Sequence, residues 1–468
     1  MSTPLQPAAT LGGTISADTL RRYDVPGPRY TSYPTADRFA EGFSSADLIT
    51  RLHRRAAHAE RPLSLYVHIP FCESICYYCG CNKIITKDHG HAGPYLDALE
   101  HEMALYAPEM GNSRRVSQLH LGGGTPTFLN NAELSRLMAS LRTCFDIVAG
   151  AELSIEVDPR TVTRERLAHL ASLGFNRLSF GVQDFDERVQ KAVHRIQPHD
   201  SVRDLVTAAR ELGFDSINVD LIYGLPMQTA ESFARTIAQV NALRPDRIAL
   251  YAYAHLPTRF KPQRRISVDD LPPANERVEM LSGAIAGFLA SGYDYIGMDH
   301  FALPTDSLAV AKRQGRLHRN FQGYSTQPEC DLVGLGVSAI GQMGDCYTQN
   351  AKTLPEYYEA LESGLLPVAR GLVLSREDSL RRDAIMALMC QGRLDFTAFG
   401  KQHGIDAREH FAKELADLGT LVDQGLASVS EQAIEVTATG WFFVRAVAMV
   451  FDGHLQRTRD TQRFSRIV

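Results

Sequence analysis

Short apolar runs that predict β-strands alternate with longer helical patterns from about residue 62 to residue 300. Strands that alternate with helices form βαβ units, in which neighbouring strands run parallel. Six or more such units favour a full or partial (β/α) barrel over an open sheet, and so predict an α/β fold. The predicted strands span residues 63–69, 117–121, 152–157, 177–180, 216–222, 247–253 and 293–298. The predicted helices between them span residues 93–106, 131–144, 163–173, 199–212 and 230–243.

Two stretches lie outside this pattern and are predicted as separate parts of the chain. Residues 1–60 form an N-terminal extension, in which the prolines of PGPRYTSYP prevent a continuous helix. Residues 61–370 form the barrel domain. Residues 371–468 predict a small, mainly helical domain with a hairpin at 427–436 and a helix at 440–451. An alternative with equal weight is that this last part only caps the barrel.

Charge and hydropathy exclude two classes of partner. The 49 Lys and Arg residues against 54 Asp and Glu give a net charge of −5, which lacks the basic character of a nucleic-acid-binding protein. The most apolar stretches, 283–290 and 444–451, are much shorter than the ~20 residues that span a bilayer. The first residues lack the basic and apolar regions of a secretory signal. We therefore expect a cytoplasmic protein without a membrane span.

Four of the eight cysteines lie within ten residues, directly after the first predicted strand, at Cys72, Cys76, Cys79 and Cys81. Clustered cysteines without a disulfide-type distribution indicate metal or redox chemistry. A structural zinc site normally takes two pairs of ligands from separate loops, and the second pair is absent here. Three cysteines at this spacing can bind three irons of a [4Fe–4S] cluster and leave the fourth iron open, while Cys81 is poorly placed for that corner. A zinc site and unreactive thiols remain alternative interpretations.

Several predicted strands have polar residues at their carboxyl ends, which is where the active sites of barrel enzymes lie. Glu156, Gln183 and Asp220 occupy such positions, and a carboxylate there suits a ribose hydroxyl or an ammonium group. The run 122–125, GGGT, allows close approach of a ligand to the backbone. Each of the three polar residues could instead have a buried structural role. The glycines could instead form a tight turn.

The spacing C-x3-C-x2-C after the first strand of a barrel resembles that of the radical S-adenosylmethionine (SAM) superfamily. The segments YVHIPFC, CYYCGCNK, GGGTPT, SIEVDPR, GVQDF, NVDLIYGLP and HRNFQGY resemble the oxygen-independent coproporphyrinogen III oxidase family, from PGPRYTSYPT to RFSRIV. The resemblance implies a radical SAM barrel with the N-terminal extension over the active site. It implies that Cys72, Cys76 and Cys79 bind the cluster, and that Cys81 is needed for activity without being a ligand.

The resemblance also implies a [4Fe–4S] cluster and two SAM molecules per active site. Around the first SAM it implies Tyr66, Tyr78, Gly123, Glu156 and Ile340. Around the second it implies Gly124, Thr125, Gln183, Arg195, Asp220 and Ala254. A packing role for Tyr66 and an exposed helix-end role for Arg195 remain alternatives.

In this family a SAM-derived radical removes hydrogen from a propionate side chain, and loss of CO2 and one electron leaves a vinyl group. Two such reactions convert coproporphyrinogen III to protoporphyrinogen IX in haem biosynthesis. The resemblance thus implies an electron donor of flavodoxin or ferredoxin type. Because the substrate carries four carboxylates, Arg29, His318 and Arg319 are candidate contacts, with surface solvation as the alternative. We expect a monomer.

Two other functions share some of these features. Haem chaperones related to this family keep the three cysteines, but usually have an aromatic residue in place of Cys81 and lack the PRYTSYPT segment. An electron-transfer protein would need a fourth cluster ligand and no large barrel. Both Cys81 and the N-terminal segment favour the oxidase.

Overall fold

The computed structural model describes residues 17–23, 26–56, 61–326 and 330–457. The N-terminal part contains helices α1 (Ala17–Arg22) and α2 (Ser45–Ala56), with a short 3-10 helix between them. The closing RFSRIV segment lies outside the described residues. No helix in the described part of the chain is both long and apolar enough to cross a membrane.

Strand and helix then alternate, as the sequence predicts. The elements are β1 (Leu63–Ile69), β2 (Phe71–Cys72), β3 (Ile84–Ile85), α3 (Ala92–Glu109), β4 (Arg115–Gly123), α4 (Asn131–Cys144), β5 (Asp146–Val157), α5 (Arg164–Ser172), β6 (Arg177–Gln183), α6 (Glu187–Ala192), α7 (His199–Glu211), β7 (Ser216–Tyr223), α8 (Ala230–Leu243) and β8 (Arg247–Ala252). The predicted bounds of β1, α4 and α8 are confirmed to the residue.

Shorter strands dominate the next segment. The elements are α9 (Ala274–Ala290), β9 (Asp294–Gly297), β10 (His300–Ala302), α10 (Ser307–Arg313), β11 (His318–Asn320), β12 (Gly323–Ser325), β13 (Asp331–Leu335), β14 (Ile340–Met343), β15 (Cys346–Asn350), α11 (Leu354–Glu362) and β16 (Val368–Val373). Except for β9, these strands were not predicted, and several of them pair with the next strand as antiparallel hairpins instead of alternating with helices.

Twelve strands form one sheet in the order β16-β15-β14-β13-β1-β4-β5-β6-β7-β8-β10-β9. The strands from β13 to β8 in this order are parallel, which confirms the predicted βαβ architecture. Both edges of the sheet contain antiparallel pairs, which include the hairpins β9–β10 and β14–β15. The strand predicted at 293–298 is present as β9, which runs in the same direction as β8, but the antiparallel strand β10 lies between the two. Since β16 and β9 do not pair, the barrel is partial.

The inner face of the barrel is polar at its amino end. Gln118 donates to Glu152 (3.1 Å), His120 shares a 2.6 Å hydrogen bond with Ser154, and Arg177 pairs with Glu152. Apolar residues alternate with these on the outer face, where they are buried under the helices. A barrel interior is usually filled by branched apolar side chains, so this one is unusually suited to a polar ligand.

A buried carboxyl group, that of Glu102 on α3, joins one end of the barrel to its helices. It accepts hydrogen bonds from Gly336 N (2.7 Å), Asn350 Nδ2 (2.7 Å) and the Tyr357 hydroxyl (2.6 Å). These donors favour the charged form, but burial is the larger effect and raises the pKa of Glu102 to about 7.

The stability advantage of the wild type over a Glu102→Gln variant should fall as pH rises. With a pKa of about 7 in the folded state against 4.5 when unperturbed, Glu102 holds its proton more tightly when folded. Folding is therefore favoured at low pH, and this contribution is lost between about pH 4.5 and 7. Urea unfolding measures the free energy of unfolding of both proteins. The difference between the wild type and Glu102→Gln should be about 2 to 3 kcal/mol smaller at about pH 8 than at about pH 5. Glu362→Gln, at an exposed site, should show no such change.

The C-terminal part is mainly helical, as predicted. Its elements are α12 (Arg376–Gln391), β17 (Arg393–Asp395), α13 (Phe396–His403), α14 (Ala407–His410), α15 (Ala412–Asp417), α16 (Gly419–Asp423), β18 (Ala427–Val429), β19 (Ala433–Val436), α17 (Val444–Met449) and α18 (Gly453–Arg457). The hairpin expected at 427–436 is present as β18 and β19. Trp441 Nε1 donates to Ile296 O (3.0 Å), so this part packs against the β9 edge of the sheet.

Candidate active site

A cavity of about 160 Å³ lies at the carboxyl ends of the parallel strands. Residues from the cysteine loop and from β4 to β7 line it together, which requires the sheet to curve around it. Twelve of the fifteen residues that the sequence predicts as cluster ligands, SAM contacts or the catalytic cysteine line this cavity: Cys72, Cys76, Tyr78, Cys79, Cys81, Gly123, Gly124, Thr125, Glu156, Gln183, Arg195 and Asp220. A larger cleft of about 610 Å³ lies at the opposite ends of β4 to β6, away from these groups.

The loop after β1 directs two of the thiols toward polar partners. The Cys72 sulfur shares a 3.3 Å hydrogen bond with the Thr125 hydroxyl, and burial raises the pKa of Cys72 to about 11. The Cys76 sulfur accepts from Arg195 Nη1 (3.5 Å) and from Arg160 Nη2 (3.6 Å). Two guanidinium groups therefore stand beside one sulfur.

Cys79 and Cys81 form an unequal pair. A hydrogen bond from Cys81 and the nearby Lys83 ammonium lower the pKa of Cys79 to about 6, although burial opposes this. The same hydrogen bond and the charge on Cys79 raise the pKa of Cys81 well above its usual value. Lys83 Nζ also donates to Cys79 O (3.0 Å). Cys79 is thus the thiolate of the pair and Cys81 the thiol.

The donor set fits an iron–sulfur cluster. In the part of the chain that the structure describes, no three His, Cys, Asp or Glu side chains converge on a point where a single ion would bind. In a [4Fe–4S] cluster each cysteine binds a different iron, and Cys72, Cys76 and Cys79 all line the same cavity, so the residues present fit such a cluster.

Glu156 and its neighbours form one wall of the cavity. Its carboxylate accepts from Gly123 N (3.2 Å) and lies 3.4 Å from His120 Nε2. Tyr66 does not line the cavity, but its ring stacks on His120 with centroids 6.0 Å apart. Its hydroxyl bonds to His68 Nδ1 (3.0 Å), so Tyr66 lies behind this wall.

Asp220 forms the opposite wall, on β7. It accepts from the Ser179 hydroxyl (2.9 Å) and from Asn218 Nδ2 (2.9 Å). Burial, with the charge of Glu156, raises the pKa of Asp220 to about 6. Gln183 ends β6 with φ +68°, a left-handed conformation that is uncommon outside glycine and turns its side chain toward Gly181.

One buried nitrogen atom, Arg195 Nε, tests whether the predicted SAM residues fit that cofactor. Arg195 Nε is buried and has no hydrogen-bond partner among the described residues, whereas its Nη atoms bond to Cys76, Asp158 and Gly181. A buried unpaired N–H is costly unless a ligand accepts from it. A SAM carboxylate is such an acceptor, so the residues present fit the cofactor that the resemblance implies.

Packing alone accounts for the glycines after β4. A Cβ at Gly123, where φ is +117°, would lie 2.7 Å from the His68 ring. One at Gly124 would lie 2.6 Å from Pro70 O. The backbone here lies directly against the end of β1, which also holds the cysteine loop in place. The glycines therefore position the site even without a ligand contact.

Two predicted residues lie away from the cavity. Ala254 is beside the cysteine loop, since Gln263 Nε2 donates both to Ala254 O (3.2 Å) and to Tyr78 O (2.9 Å). Ile340 begins β14 and packs with an apolar cluster that contains Phe39 and Tyr347. The structure does not bring Ile340 to this cavity.

Sequence reasoning did not select three charged residues that line the cavity: Lys83, Asp158 and Arg160. Asp158 accepts from Arg195 (3.2 Å) and from Arg160 (2.6 Å). The sequence could have indicated Asp158, because it lies two residues after Glu156 and the two residues share one face of β5 and its extension. No sequence signal pointed to Arg160 or Lys83, whose roles depend on how the loops fold back.

The partial barrel with a three-cysteine loop at its carboxyl end defines a radical SAM protein, and the family model for the radical SAM superfamily matches residues 66–240. The model for the HemN C-terminal domain matches residues 374–443.

The relatives make the assignment more specific. The chain is 51% identical to oxygen-independent coproporphyrinogen III oxidase from Salmonella typhimurium over 96% of this chain and 97% of that one. It is 50% identical to the Pseudomonas aeruginosa enzyme of that name over 97% and 98%. The solved coproporphyrinogen III oxidase (HemN) from Escherichia coli superposes with a TM-score of 0.88 at 50% identity, over 92% of this chain and 100% of that chain. The chain belongs to the oxygen-independent coproporphyrinogen III oxidase family.

Proposed function

We propose that this chain converts two propionate side chains of coproporphyrinogen III to vinyl groups without oxygen, giving protoporphyrinogen IX in haem biosynthesis. Each propionate loses one hydrogen atom, CO2 and one electron. The observation that carries this proposal is the cysteine loop, which lines the same cavity as Glu156 and Asp220. The relatives with this name, at about half identity over nearly the full chain, support it.

The proposal gives the cysteines two roles. Cys72, Cys76 and Cys79 hold the [4Fe–4S] cluster, and Cys81 acts as a catalytic residue without binding iron. When bound, the cluster and SAM supply the radical that starts hydrogen abstraction. Arg160 and Arg195 place positive charge 3.6 and 3.5 Å from the Cys76 sulfur, which favours an added electron at the cluster.

The remaining residues would hold two SAM molecules. Glu156 and Asp220 offer carboxylates to ammonium or ribose groups, and Arg195 offers its buried Nε to a carboxylate. The proposed contacts of the first SAM are Tyr66, Tyr78, Gly123, Glu156 and Ile340. Those of the second are Gly124, Thr125, Gln183, Arg195, Asp220 and Ala254. Tyr66 and Ile340 rest on the resemblance alone.

The proposal extends to the rest of the chain. Residues 1–60 cover the active site, 61–370 carry the chemistry and 371–468 form the C-terminal domain. The absence of a long apolar helix among the described residues is compatible with a cytoplasmic protein. We propose a monomer that takes its electrons from a flavodoxin or ferredoxin type of donor.

An anaerobic assay tests this function. Reconstituted protein with reductant, SAM and coproporphyrinogen III should form protoporphyrinogen IX with two 5′-deoxyadenosines per product. Omission of SAM is the matched control. SAM cleavage without vinyl formation would contradict the oxidase and favour a chaperone or another porphyrin reaction.

A further inference from the structure

Three arginines from distant parts of the chain lie close together inside the molecule. Arg29 comes from the N-terminal segment, Arg319 from β11 and Arg445 from α17. Burial lowers the pKa of Arg29, and it lowers that of Arg445 to about 9, with neighbouring arginines adding to both effects. Like charges in a buried site are costly unless an anion shares the site.

Hydrogen bonds fix the position of the N-terminal segment. Arg445 Nε donates to Pro28 O (3.0 Å), and its Nη2 donates to Gly27 O. On the other side, Arg319 Nε donates to Arg29 O (3.3 Å). The Arg29 guanidinium pairs with Asp299 and lies 5.3 Å from the centre of the Tyr251 ring. The three residues thus form one assembly.

This assembly has buried nitrogen atoms without a partner. Arg319 Nη1, His300 Nδ1 and Gln322 Nε2 are buried without a hydrogen-bond partner among the described residues. Burial and the nearby arginines lower the pKa of His300 to about 3, so its ring is neutral at physiological pH. Unpaired buried N–H groups favour a ligand with acceptor oxygens.

Two carboxylates of the described residues lie beside the assembly. Asp299 pairs with Arg29, and Asp452 accepts from the Tyr30 hydroxyl at 3.0 Å.

Tyr251 connects the arginines to the cavity. Burial raises the pKa of Tyr251, the charges of Asp220 and Glu156 raise it further, and those of Arg29 and Arg319 lower it. Tyr251 is therefore within electrostatic reach of both the cavity and the arginines. A ligand that carries several carboxylates could enter the cavity with one part and meet the arginines with another.

We propose that Arg29 and Arg319 bind a propionate carboxylate of the tetracarboxylate substrate, and that Arg445 positions Arg29 by holding residues 27 and 28. This deepens the proposed function and rests on it. A guanidinium group matches a carboxylate with two parallel N–H···O bonds, and Arg319 Nη1 is free to make one of them. The proposal gives residues 1–60 and the C-terminal part a shared role in substrate recognition.

The test compares Arg319→Gln with the wild type by anaerobic equilibrium binding of coproporphyrinogen III without reductant. The dissociation constant should rise by about 10- to 100-fold, while the affinity for SAM stays unchanged. Arg29→Gln should behave similarly, and Arg319→Lys should retain part of the affinity because it keeps the charge. Arg313→Gln is the matched control, since Arg313 is an exposed arginine paired with Asp294.

The tetramethyl ester of the substrate separates recognition from a structural role. It has no carboxylates, so Arg319→Gln and Arg445→Gln should bind it as the wild type does. Equal weakening of acid and ester would show a role in folding only, and unchanged binding of the acid by Arg319→Gln would overturn the proposal. If the wild type binds coproporphyrinogen III but forms no vinyl product, the proposed function fails while the carboxylate site stands.

Discussion

A Cys81→Ser variant is expected to retain about four irons per chain and to lose protoporphyrinogen IX formation by at least ~100-fold. Cys81 follows Cys79 by two residues, and its pKa is raised well above the usual value by the Cys79 thiolate. It therefore stays protonated where the cluster ligand is ionised. Serine can still donate a hydrogen bond to Cys79, but it lacks the redox chemistry and acidity of a thiol.

Two companion variants make this result decisive. Cys79→Ser should lose most of the iron, because Cys79 is the thiolate of the pair. Cys144→Ser, at a half-buried cysteine outside the active-site cavity, should change neither iron content nor product. Iron analysis and the anaerobic assay measure both quantities. Loss of the cluster in Cys81→Ser, or undiminished product, would contradict a catalytic role separate from iron binding.

The strands β1 and β4 to β8 were predictable because they alternate with helices along the chain. In β5 and β7, buried and half-buried residues alternate, and the helices between strands have clear first turns, such as the capping box at Asn130. The strands β10 to β16 have no comparable signal. Their positions depend on which strand each one pairs with, for example β13 with β1 and β11 with β12, and this is a property of the tertiary structure.

The part of the site at the ends of the parallel strands was predictable, because one geometric rule applies to each of these strands. Parallel strands place their carboxyl ends at one edge, so Glu156, Gln183 and Asp220 share a cavity. Ile340 could not be placed by this rule, since it begins an antiparallel strand. Arg29 and Arg319 were candidate substrate contacts from the sequence, but Arg160 and the proximity of Arg445 to those two arginines were not predicted, because loops and the C-terminal part bring these residues together.

An Arg195→Gln variant is expected to lower product formation by about 10- to 100-fold and to make the cluster harder to reduce. The change removes a positive charge 3.5 Å from the Cys76 sulfur, so the added electron is less stabilised and the midpoint potential shifts to more negative values. It also removes the buried Nε that we assign to a SAM carboxylate. A potentiometric titration and the KM for SAM measure the two effects separately.

The protein should stay folded in this variant, because Asp158 keeps its 2.6 Å bond to Arg160 and is not left unpaired. Arg195→Lys restores the charge, but one ammonium group cannot reach Cys76, Asp158 and Gly181 together as the guanidinium does. We therefore expect the lysine variant to recover the potential but not the KM for SAM. Arg188→Gln, at an exposed arginine paired with Asp186, should leave both unchanged. If Arg195→Gln alters neither quantity, Arg195 serves only the packing of the loop, because a purely structural residue would lower stability without moving the potential.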